Sequence, residues 1–367
     1  MTQKSSVLIF TTAYRPLVGG SEIALQEIIR RLPNIFFDIL TPKYRPGLAV
    51  KENFENGCVH RIGIGSPLDK FLFPVSGFIA ALKLRPKIIH AYQASFGAGA
   101  AVIYKTFFPK VRFILTLQEG KDLNRQNILI KYFRNLIIRK ADVVTAISHY
   151  LADYAKKINP KAELHIIPNG VDLGKFTIHE SRITNHEKVV ITVSRLVKKN
   201  GIGDLIDAMA VVRNEIPDAK LTIIGSGPLE KILKLKVRSL NLENYIEFLG
   251  EISNELLPKC LSMANIFVRP SLSEGLGTAF LEAMAAGLPV VGTAVGGIPD
   301  FLKDKQTGLF CKPGDPDDIA DKIIMLLEND ELRNRLAGNG RRLVEEKYDW
   351  EKIASEFAKL YQEINVK

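Results

Sequence analysis

The chain has few of the residues that mark secreted, metal-binding or membrane-spanning proteins. Its three cysteines, Cys58, Cys260 and Cys311, are scattered over 367 residues and lack the spacing of metal ligands. No segment approaches the roughly 18 consecutive apolar residues that a membrane-spanning helix needs. The first apolar run, residues 7–10, is far shorter than the core of a secretory signal peptide. We therefore expect a cytoplasmic protein, because scattered free cysteines suit a reducing compartment.

The sequence also lacks the motifs that would assign a cofactor or a nucleic acid. Residues 225–228 read Gly-Ser-Gly-Pro, without the third glycine of a dinucleotide-binding fingerprint and without an acidic residue at the end of the next strand. No group of carboxylates indicates a metal site, and no nucleic-acid-binding module is recognisable. We expect no metal, no cofactor and no nucleic-acid partner, and an oxidoreductase is disfavoured.

The positive charge of the chain lies in its first half. The formal net charge is +10, with 25 Lys+Arg against 13 Asp+Glu in residues 1–180 and 25 against 27 in residues 181–367. Such an asymmetry indicates an anionic partner for the first half. Charge alone fits a membrane surface, a nucleic acid or a phosphorylated substrate, and the lack of a nucleic-acid-binding module disfavours the second.

Strand-like and helix-like segments alternate almost throughout, which predicts βαβ units, parallel sheets and an α/β fold. A chain of 40.9 kDa is too long for one ordinary core, so two domains are expected. The segment 173–187 is polar and charged over most of its length. We interpret it as the linker between a domain of residues 1–172 and a second domain that begins at residue 188.

Residues 271–300 have the highest density of ligand-binding features. A strand predicted at 266–268 is followed by a turn with Gly275 and Gly277, and then by a helix predicted at 279–286. A glycine turn at a helix N-terminus presents free N–H groups and the positive end of the helix dipole, which suits a phosphate. Glu274 and Glu282 can accept hydrogen bonds from hydroxyl groups beside that phosphate. The alternative is a surface turn with two solvated glutamates.

Two further segments have similar chemistry. Residues 194–201 follow the first strand of the second domain, at the edge of the sheet where α/β proteins bind ligands. Arg195 in this loop can neutralise a diphosphate through its planar set of donors. In the first domain, Gly19-Gly20 opens a helix and is a second candidate phosphate site. Each signal is weak alone, because solvated basic loops and glycine pairs are common.

Two helices of the first domain have a pattern that fits a membrane surface. In segment 127–140, NILIKYFRNLIIRK, basic residues rim an apolar face, as in helices that lie on a membrane. These basic residues are Lys131, Arg134, Arg139 and Lys140. The segment 71–84 is ambiguous in the same way. The alternative for both is an ordinary core helix with a basic outer face.

The ordered set of motifs resembles that of the family 4 retaining glycosyltransferases, two-domain enzymes of the GT-B fold that use nucleotide-sugars. The motifs are Gly19-Gly20-Ser21-Glu22, Pro168-Asn169-Gly170-Val171-Asp172, Ser194-Arg195-Leu196, Gly225-Ser226-Gly227-Pro228, the pair Glu274 and Glu282, and Gly296-Gly297. The resemblance covers nearly the full length. It implies two Rossmann-like parallel-sheet domains facing a central cleft. Residues 1–172 would bind the acceptor, residues 188–346 the nucleotide-sugar donor, and residues 347–367 would form a helix that crosses back to the first domain.

The resemblance also implies roles for individual residues. Arg195 and Lys199 would bind the donor's diphosphate and stabilise charge on the leaving group, and Glu274 would hold hydroxyls of the transferred sugar. These three are the expected catalytic residues. Glu282 would bind the ribose, and residues near Gly250 the base. The full implied donor-binding set is Gly19, Gly20, Arg195, Lys199, Gly250, Ile252, Glu274, Gly275, Gly277, Thr278, Ala279 and Glu282.

The chain departs from the family pattern at two places. The family usually has a lysine five residues after the arginine, where this chain has Asn200, so we expect Lys199 to replace it through a shifted loop. Many members have a histidine after the strand predicted at 111–117, where this chain has Gln118 and Glu119. Gln118 can hydrogen bond to a sugar but cannot titrate near neutral pH. Glu119 is a candidate substitute acid or ligand on the acceptor side.

The implied activity is that of a retaining, metal-independent hexosyltransferase using a UDP- or GDP-sugar. Positive charge and helix dipoles directed at the departing diphosphate would be the main catalytic contribution. The expected acceptor is a sugar, a lipid-linked sugar or a phosphorylated small molecule in surface-polysaccharide or glycolipid synthesis, with the protein on the inner face of the membrane. Two alternatives stay open: a nucleotide-sugar epimerase of GT-B fold, and a non-catalytic basic protein that binds a membrane surface.

Overall fold

The computed structural model describes residues 6–17, 19–120, 123, 127–176 and 188–366. The chain divides into two compact units. Unit 1 comprises Met1–Asn169 together with Trp350–Lys367, and unit 2 comprises Gly170–Asp349. Unit 1 ends three residues before the predicted end of the first domain and resumes three residues after the predicted start of the crossing helix, whereas unit 2 begins at Gly170 and not at residue 188. Val171 N donates a hydrogen bond to Tyr348 O at 2.7 Å and so joins both ends of unit 2. Residues 177–187 of the predicted linker lie outside the described residues.

Unit 1 is built on an eight-stranded sheet. Its strands are β1 (Ser6–Phe10), β2 (Phe36–Pro42), β3 (Lys51–Phe54), β4 (Gly57–Ile62), β5 (Ile88–Tyr92), β6 (Arg112–Leu117), β7 (Val143–Ala146) and β8 (Glu163–Ile166). Their order in the sheet is β3-β4-β2-β1-β5-β6-β7-β8, and all pairs are parallel except the β3–β4 hairpin. The central strands are runs of Val, Ile, Leu and Phe because helices cover both of their faces.

Five helices connect these strands: α1 (Gly20–Arg30), α2 (Asp69–Leu84), α3 (Phe96–Phe107), α4 (Ile128–Lys140) and α5 (His149–Ile158). The helices α2 to α5 pack side by side in chain order. Each of the five follows a parallel strand. Each therefore begins at the carboxyl edge of the sheet, the edge at which α/β proteins bind ligands.

Unit 2 has a six-stranded, fully parallel sheet. Its strands are β9 (Val189–Val193), β10 (Lys220–Ile224), β11 (Ile246–Gly250), β12 (Ile266–Arg269), β13 (Val290–Thr293) and β14 (Leu309–Cys311). Its helices are α6 (Ile202–Glu215), α7 (Glu230–Ser239), α8 (Leu257–Ser262), α9 (Thr278–Ala285), α10 (Pro316–Glu328) and α11 (Asp330–Lys347). The strand order is β11-β10-β9-β12-β13-β14. The direction of winding reverses between β9 and β12, which creates a crevice outside their carboxyl ends.

The last helix, α12 (Trp350–Val366), belongs to unit 1, where it packs against α1. Tyr361 of this helix shares a hydrogen bond of 2.7 Å with Nδ1 of His90 in β5, and Nε2 of His90 lies 2.6 Å from the Thr116 hydroxyl. Burial lowers the pKa of His90 to about 3. The imidazole is therefore neutral, and α12 is held to the sheet by an uncharged, fully buried hydrogen-bond chain.

The predicted α/β fold with two parallel sheets is confirmed. The strand predicted at 266–268 and the helix predicted at 279–286 agree with β12 and α9 within one residue. The strands β3 and β14 were not predicted. β3 is a short, exposed edge strand of sequence KENF, which has no apolar alternation. None of the helices in the described part of the chain is long and apolar enough to cross a membrane.

Candidate functional site

The predicted donor residues of unit 2 meet at the point where the winding of its sheet reverses. Glu274, in the loop after β12, lies at the centre of this cluster. Its Oε2 accepts a hydrogen bond from Nη2 of Arg269 at 2.6 Å, and its Oε1 lies 3.8 Å from Nζ of Lys199 in the loop after β9. The side chain of Glu274 is largely buried. A buried carboxylate is thus held between two cations from neighbouring strand ends.

In the loop after β9, Lys199 and Asn200 contact different partners. Lys199 is the residue that faces Glu274, whereas Nδ2 of Asn200 donates to the carbonyl of Arg195 at 2.7 Å. The carbonyl of Lys199 accepts a hydrogen bond from Leu272 N at 2.6 Å, which fixes this loop against the one that carries Glu274. Burial lowers the pKa of Lys199, and the neighbouring Arg269 and Arg195 act in the same direction while Glu274 opposes them.

Arg269 is the functional candidate that sequence reasoning missed. Its side chain is buried at the end of β12, where Nη1 donates to the carbonyl of Val193 at 3.2 Å and the guanidinium lies 4.8 Å from the centre of the Phe280 ring. Its buried Nε has no hydrogen-bond partner among the described residues. An arginine that ends an otherwise apolar strand, Ile-Phe-Val-Arg, five residues before a glutamate was the available signal.

Glu282 stands one turn into α9 and has a different environment from Glu274. Burial raises its pKa to about 7, although Arg269 and Lys175 each act to lower it. The residue is partly exposed, so the carboxylate is surrounded by protein on most sides but remains accessible to a ligand. A pKa in this range places the titration of Glu282 near neutral pH. Glu282 can therefore accept hydrogen bonds from hydroxyl groups, and its ability to do so depends on pH in the physiological range.

The glycine turn before α9 brings backbone groups to the same place. Gly277 is the N-cap of α9, Thr278 and Ala279 form its first turn, and the backbone N–H of Gly275 donates to Oε1 of Glu274 at 3.1 Å. Gly296 packs on the back of this turn. Its φ is +56°, and a Cβ there would lie only 1.7 Å from the carbonyl oxygen of Glu274. The Gly296-Gly297 motif therefore supports the position of Glu274 from behind.

The Gly225-Ser226-Gly227 loop also supports the site. Gly225 has a φ of +122°, and a Cβ on it would lie 2.0 Å from the carbonyl oxygen of Ser194. Leu196 N donates to the carbonyl of Ser226 at 2.8 Å. These glycines allow the loop after β10 to pack against the loop that carries Arg195.

The remaining residues of unit 2 that were predicted to bind a donor lie on the same edge of the sheet. Gly250 ends β11, and its carbonyl accepts a hydrogen bond from Gly225 N at 2.7 Å. Ile252 follows two residues later and is partly buried. β11 is separated from β9 by one strand. Gly250 and Ile252 therefore lie to one side of the charged cluster.

The predicted residues of unit 1 gather at the carboxyl edge of its own sheet. Gly19 and Gly20 begin α1 after β1, and the N–H of Gly19 donates to Oε2 of Glu22 at 2.8 Å. Gln118 and Glu119 follow β6. Oε1 of Glu119 accepts a hydrogen bond from Ala94 N at 2.8 Å, while its buried Oε2 has no partner among the described residues. Burial raises the pKa of Glu119.

One group of possible metal ligands lies elsewhere in unit 1, on β2 and β4. The ligand atoms of Asp38, Cys58 and His60 lie within 4.8 Å of one another. Nε2 of His60 is already 2.8 Å from Oδ1 of Asp38, and Lys51 on β3 is paired with His60 across the hairpin. A neighbouring ammonium group disfavours a bound cation. The arrangement is that of a hydrogen-bonded pair on the face of the sheet.

Comparison with known proteins gives consistent results for both units. The family model described as "Glycosyltransferase Family 4" matches residues 18–175, and that described as "Glycosyl transferases group 1" matches residues 175–343. The N-acetyl-alpha-D-glucosaminyl L-malate synthase of Bacillus anthracis is 28% identical, over 95% of each chain. The GDP-mannose-dependent alpha-(1-6)-phosphatidylinositol monomannoside mannosyltransferase of Mycobacterium tuberculosis is 25% identical, over 96% of this chain and 97% of that one.

The fold has a close match among solved structures. The sucrose-phosphate synthase from Thermosynechococcus elongatus superposes with a TM-score of 0.87 at 23% identity, over 99% of this chain and 100% of that one. At this identity the likeness shows the fold.

Proposed function

The chain belongs to glycosyltransferase family 4 and has the GT-B fold, and from this premise we propose that it is a retaining hexosyltransferase acting on a nucleotide diphosphate sugar. The observation that carries the proposal is the cluster at the reversal point of unit 2. There Lys199 and Arg269 lie against Glu274, and Arg195 lies close enough to Lys199 to lower its pKa. Glu282 stands one turn into the adjacent helix. Three cations against two carboxylates leave positive charge for a diphosphate.

Each residue of this cluster has a distinct proposed role. Arg195 and Lys199 bind the diphosphate together with the backbone N–H groups at the start of α9, where the helix dipole also favours an anion. Glu274 holds hydroxyls of the sugar that is transferred. Glu282 binds the ribose hydroxyls, and the base lies near Gly250 and Ile252.

Arg269 has the role of positioning Glu274. Its hydrogen bonds to the Glu274 carboxylate and to the Val193 carbonyl connect the loop after β12 to the end of β9. A carboxylate fixed in this way loses little further freedom when a sugar hydroxyl binds to it. Because the guanidinium is buried and lies against the Phe280 ring, it acts on the sugar through Glu274.

The proposed chemistry needs no protein nucleophile and no metal. The bond between the anomeric carbon and the diphosphate oxygen breaks as the acceptor hydroxyl attacks from the same face, and the departing phosphate oxygen takes the acceptor's proton. Charge develops on the diphosphate in the transition state, where Arg195 and Lys199 stabilise it. These two cations supply the positive charge that a divalent metal would otherwise provide.

We propose a UDP- or GDP-sugar as donor and an acceptor hydroxyl on a polysaccharide or glycolipid precursor at the cytoplasmic face of the membrane. The name of the mycobacterial relative specifies GDP-mannose and a phosphatidylinositol glycoside, while that of the Bacillus relative specifies L-malate. These names describe an amphiphile and a small acid as acceptors in two relatives of similar identity. Both acceptor classes therefore belong in the first assays.

The experiment that tests this function is a thermal-shift panel with UDP-, GDP- and ADP-sugars, followed by product analysis. One nucleotide class should raise the melting temperature, because a ligand that binds only the folded state stabilises it. Glu282→Ala should weaken that nucleotide's binding by about tenfold to a hundredfold, since each hydrogen bond to a charged group contributes about 1.5–3 kcal/mol. Glu328→Ala, an exposed glutamate at the end of α10, is the control.

Product analysis separates the transferase from the alternatives. A transferase requires an acceptor and gives a glycoside with the anomeric configuration of the donor, which NMR spectroscopy determines. An epimerase would change the donor sugar without an acceptor, and a non-catalytic protein would do neither. Activity that EDTA abolishes and Mg²⁺ or Mn²⁺ restores would contradict metal independence.

A further inference from the structure

Two helices of unit 1 expose large apolar side chains to solvent. On α2 the exposed residues are Phe71, Leu72, Val75, Ile79 and Leu82, and on α4 they are Ile128, Leu129, Ile130, Tyr132 and Phe133. We call this surface the α2–α4 face. Ile128 is 80% exposed and Phe133 59% exposed. Large apolar side chains rarely form a contiguous exposed patch on a soluble protein unless that patch binds a partner.

The orientation of α4 differs from that of an ordinary core helix. Only its second half contributes buried isoleucines, Ile137 and Ile138, while the first two turns are apolar and exposed. Arg134, predicted as part of the basic rim, is buried. Its Nη2 donates to the carbonyl of Leu123 and its Nε to the Tyr154 hydroxyl, both at 3.1 Å. Arg134 is therefore a structural residue and not a surface charge.

The topology places the exposed apolar turns at one edge of the sheet. α2 follows β4 and α4 follows β6, and both strands are parallel members of the same sheet, so both helices begin at its carboxyl edge. α3 lies between them and packs against both, and Phe96 at its start contacts Phe71 with ring centres 5.1 Å apart. The α2–α4 face thus borders the edge at which Glu119 lies.

Basic residues greatly outnumber acidic residues in this part of unit 1. Residues 70–140 contain 13 Lys+Arg and only two acidic residues, Glu119 and Asp122. The exposed basic side chains Lys83, Arg139 and Lys140 lie in the last turns of these two helices. Lys70 and Lys131, which are partly exposed, lie beside the apolar first turns. A surface that is both apolar and basic matches an anionic phospholipid bilayer, which offers hydrocarbon beneath a layer of negative headgroups.

We propose that the α2–α4 face binds unit 1 to an anionic phospholipid bilayer. The apolar side chains of the first turns enter the interface, and the basic residues contact the headgroups. An acceptor anchored in that bilayer would then meet the carboxyl edge of the unit 1 sheet. This last consequence rests on the proposed function, whereas bilayer binding itself does not.

The test is flotation of the full chain, without nucleotide, on vesicles of phosphatidylcholine with and without phosphatidylglycerol. We expect binding to vesicles that contain phosphatidylglycerol and a large loss at about 0.5 M NaCl, where exposed charges are screened. The double variant Arg139→Glu/Lys140→Glu should bind at least about tenfold more weakly. Ile128→Ser/Phe133→Ser should lose a similar factor through the apolar contribution.

Matched controls come from α7 of unit 2, which exposes Ile232 and Leu235, each 62% exposed, beside basic residues. The variants Ile232→Ser/Leu235→Ser and Lys231→Glu/Arg238→Glu should leave vesicle binding unchanged. Equal loss in the α7 and α4 variants, or no loss in the α4 variants, would overturn the proposal. So would a dimer in solution that the α4 variants convert to a monomer while vesicle binding is absent, because the face would then join two copies.

A nucleotide thermal shift on the same variants keeps the two proposals apart. The α4 variants should retain the shift of the unmodified chain, since no donor residue is changed. If no nucleotide shifts the melting temperature but vesicle binding follows the expected pattern, the proposed function fails and the bilayer proposal stands.

Discussion

The two units have sheets of the same kind but place different chemistry at their carboxyl edges. In unit 2 the edge carries Arg195 and a buried carboxylate, Glu274, that lies against Lys199 and Arg269. In unit 1 it carries the partly exposed Glu119, whose buried Oε2 has no hydrogen-bond partner among the described residues, and helices with exposed apolar turns border it. A parallel sheet fixes where a ligand can bind, and the loops after each strand decide what kind of ligand it is.

The charges at the two edges indicate which kind of ligand each would bind. The edge in unit 2 has positive charge in excess, which suits a dianionic diphosphate. Glu119 in unit 1 is a hydrogen-bond acceptor, and protonation, which its raised pKa favours, would make it a donor as well. Such a group suits neutral hydroxyls and not another anion. The comparison predicts that variants of unit 2 affect donor chemistry and variants of unit 1 affect the acceptor.

The largest expected effect is that of Arg195→Ala. Turnover should fall by about 10²–10³, the usual loss when one group that stabilises transition-state charge is removed. The Michaelis constant for the donor should change much less. Lys198→Ala changes an exposed cation in the same short turn and should be nearly neutral. Equal losses in the two variants would mean that the loop contributes only general positive charge.

Arg269→Met should reduce stability as well as activity. Removing one partner of a buried ion pair leaves Glu274 uncompensated, which costs about 3–5 kcal/mol of unfolding free energy. The double variant Arg269→Met/Glu274→Gln should recover most of that loss but not the activity. Urea denaturation and steady-state kinetics measure the two quantities. If the double variant is no more stable than the single one, the pair does not couple.

Donor affinity should depend on pH through Glu282, whose pKa is about 7. Its carboxylate form accepts hydrogen bonds from the ribose, so binding is strongest above pH 7 and weakens by up to about tenfold per unit as pH falls below that value. Burial opposes ionisation, while Arg269 and Lys175 favour it. Titration calorimetry with a nucleotide diphosphate sugar, between about pH 5.5 and about pH 8.5, measures this change of donor affinity with pH. Glu282→Gln should give a flat profile, and a steep profile in that variant would assign the titration to another group.

Glu119→Gln should have the smallest effect and should be confined to the acceptor. The amide oxygen can still accept the hydrogen bond from Ala94 N, so the fold should be retained. We expect a change of about threefold or more in the Michaelis constant for the acceptor, since a single hydrogen bond contributes about 1 kcal/mol. Donor affinity should be unchanged. A change in donor affinity alone would contradict the division between the two units.

The parallel sheets were predictable because their strands are buried on both faces and therefore appear as continuous apolar runs. The same physics made β3 unpredictable, since an exposed hairpin strand such as Lys-Glu-Asn-Phe has no such signal. For α4, the sequence shows an apolar and a basic side but not which of them faces the sheet. That choice depends on packing, and Arg134 turned inward against Tyr154.

The candidate site was predictable where a local motif carries it. The turn before α9 and the loop with Arg195 are contiguous segments with glycines at positions of close backbone approach. The lysine position was ambiguous from the sequence, because Lys199 and Asn200 are adjacent, and the geometry places Lys199 against Glu274. Arg269 was missed because its significance depends on a contact between two strand ends, which no local pattern reports.

The hydrogen bond from Val171 N to Tyr348 O has a further consequence. It places the entrance and exit of Gly170–Asp349 side by side, with Val171 and Asp349 bridged in parallel. In topological terms, unit 2 is an insert within unit 1, and the chain returns to complete the first core with α12. An insert whose ends are adjacent can be excised or exchanged as a cassette. Under the proposed function, exchanging this insert between related chains would exchange donor specificity, while the proposed acceptor and bilayer contacts would remain with the host.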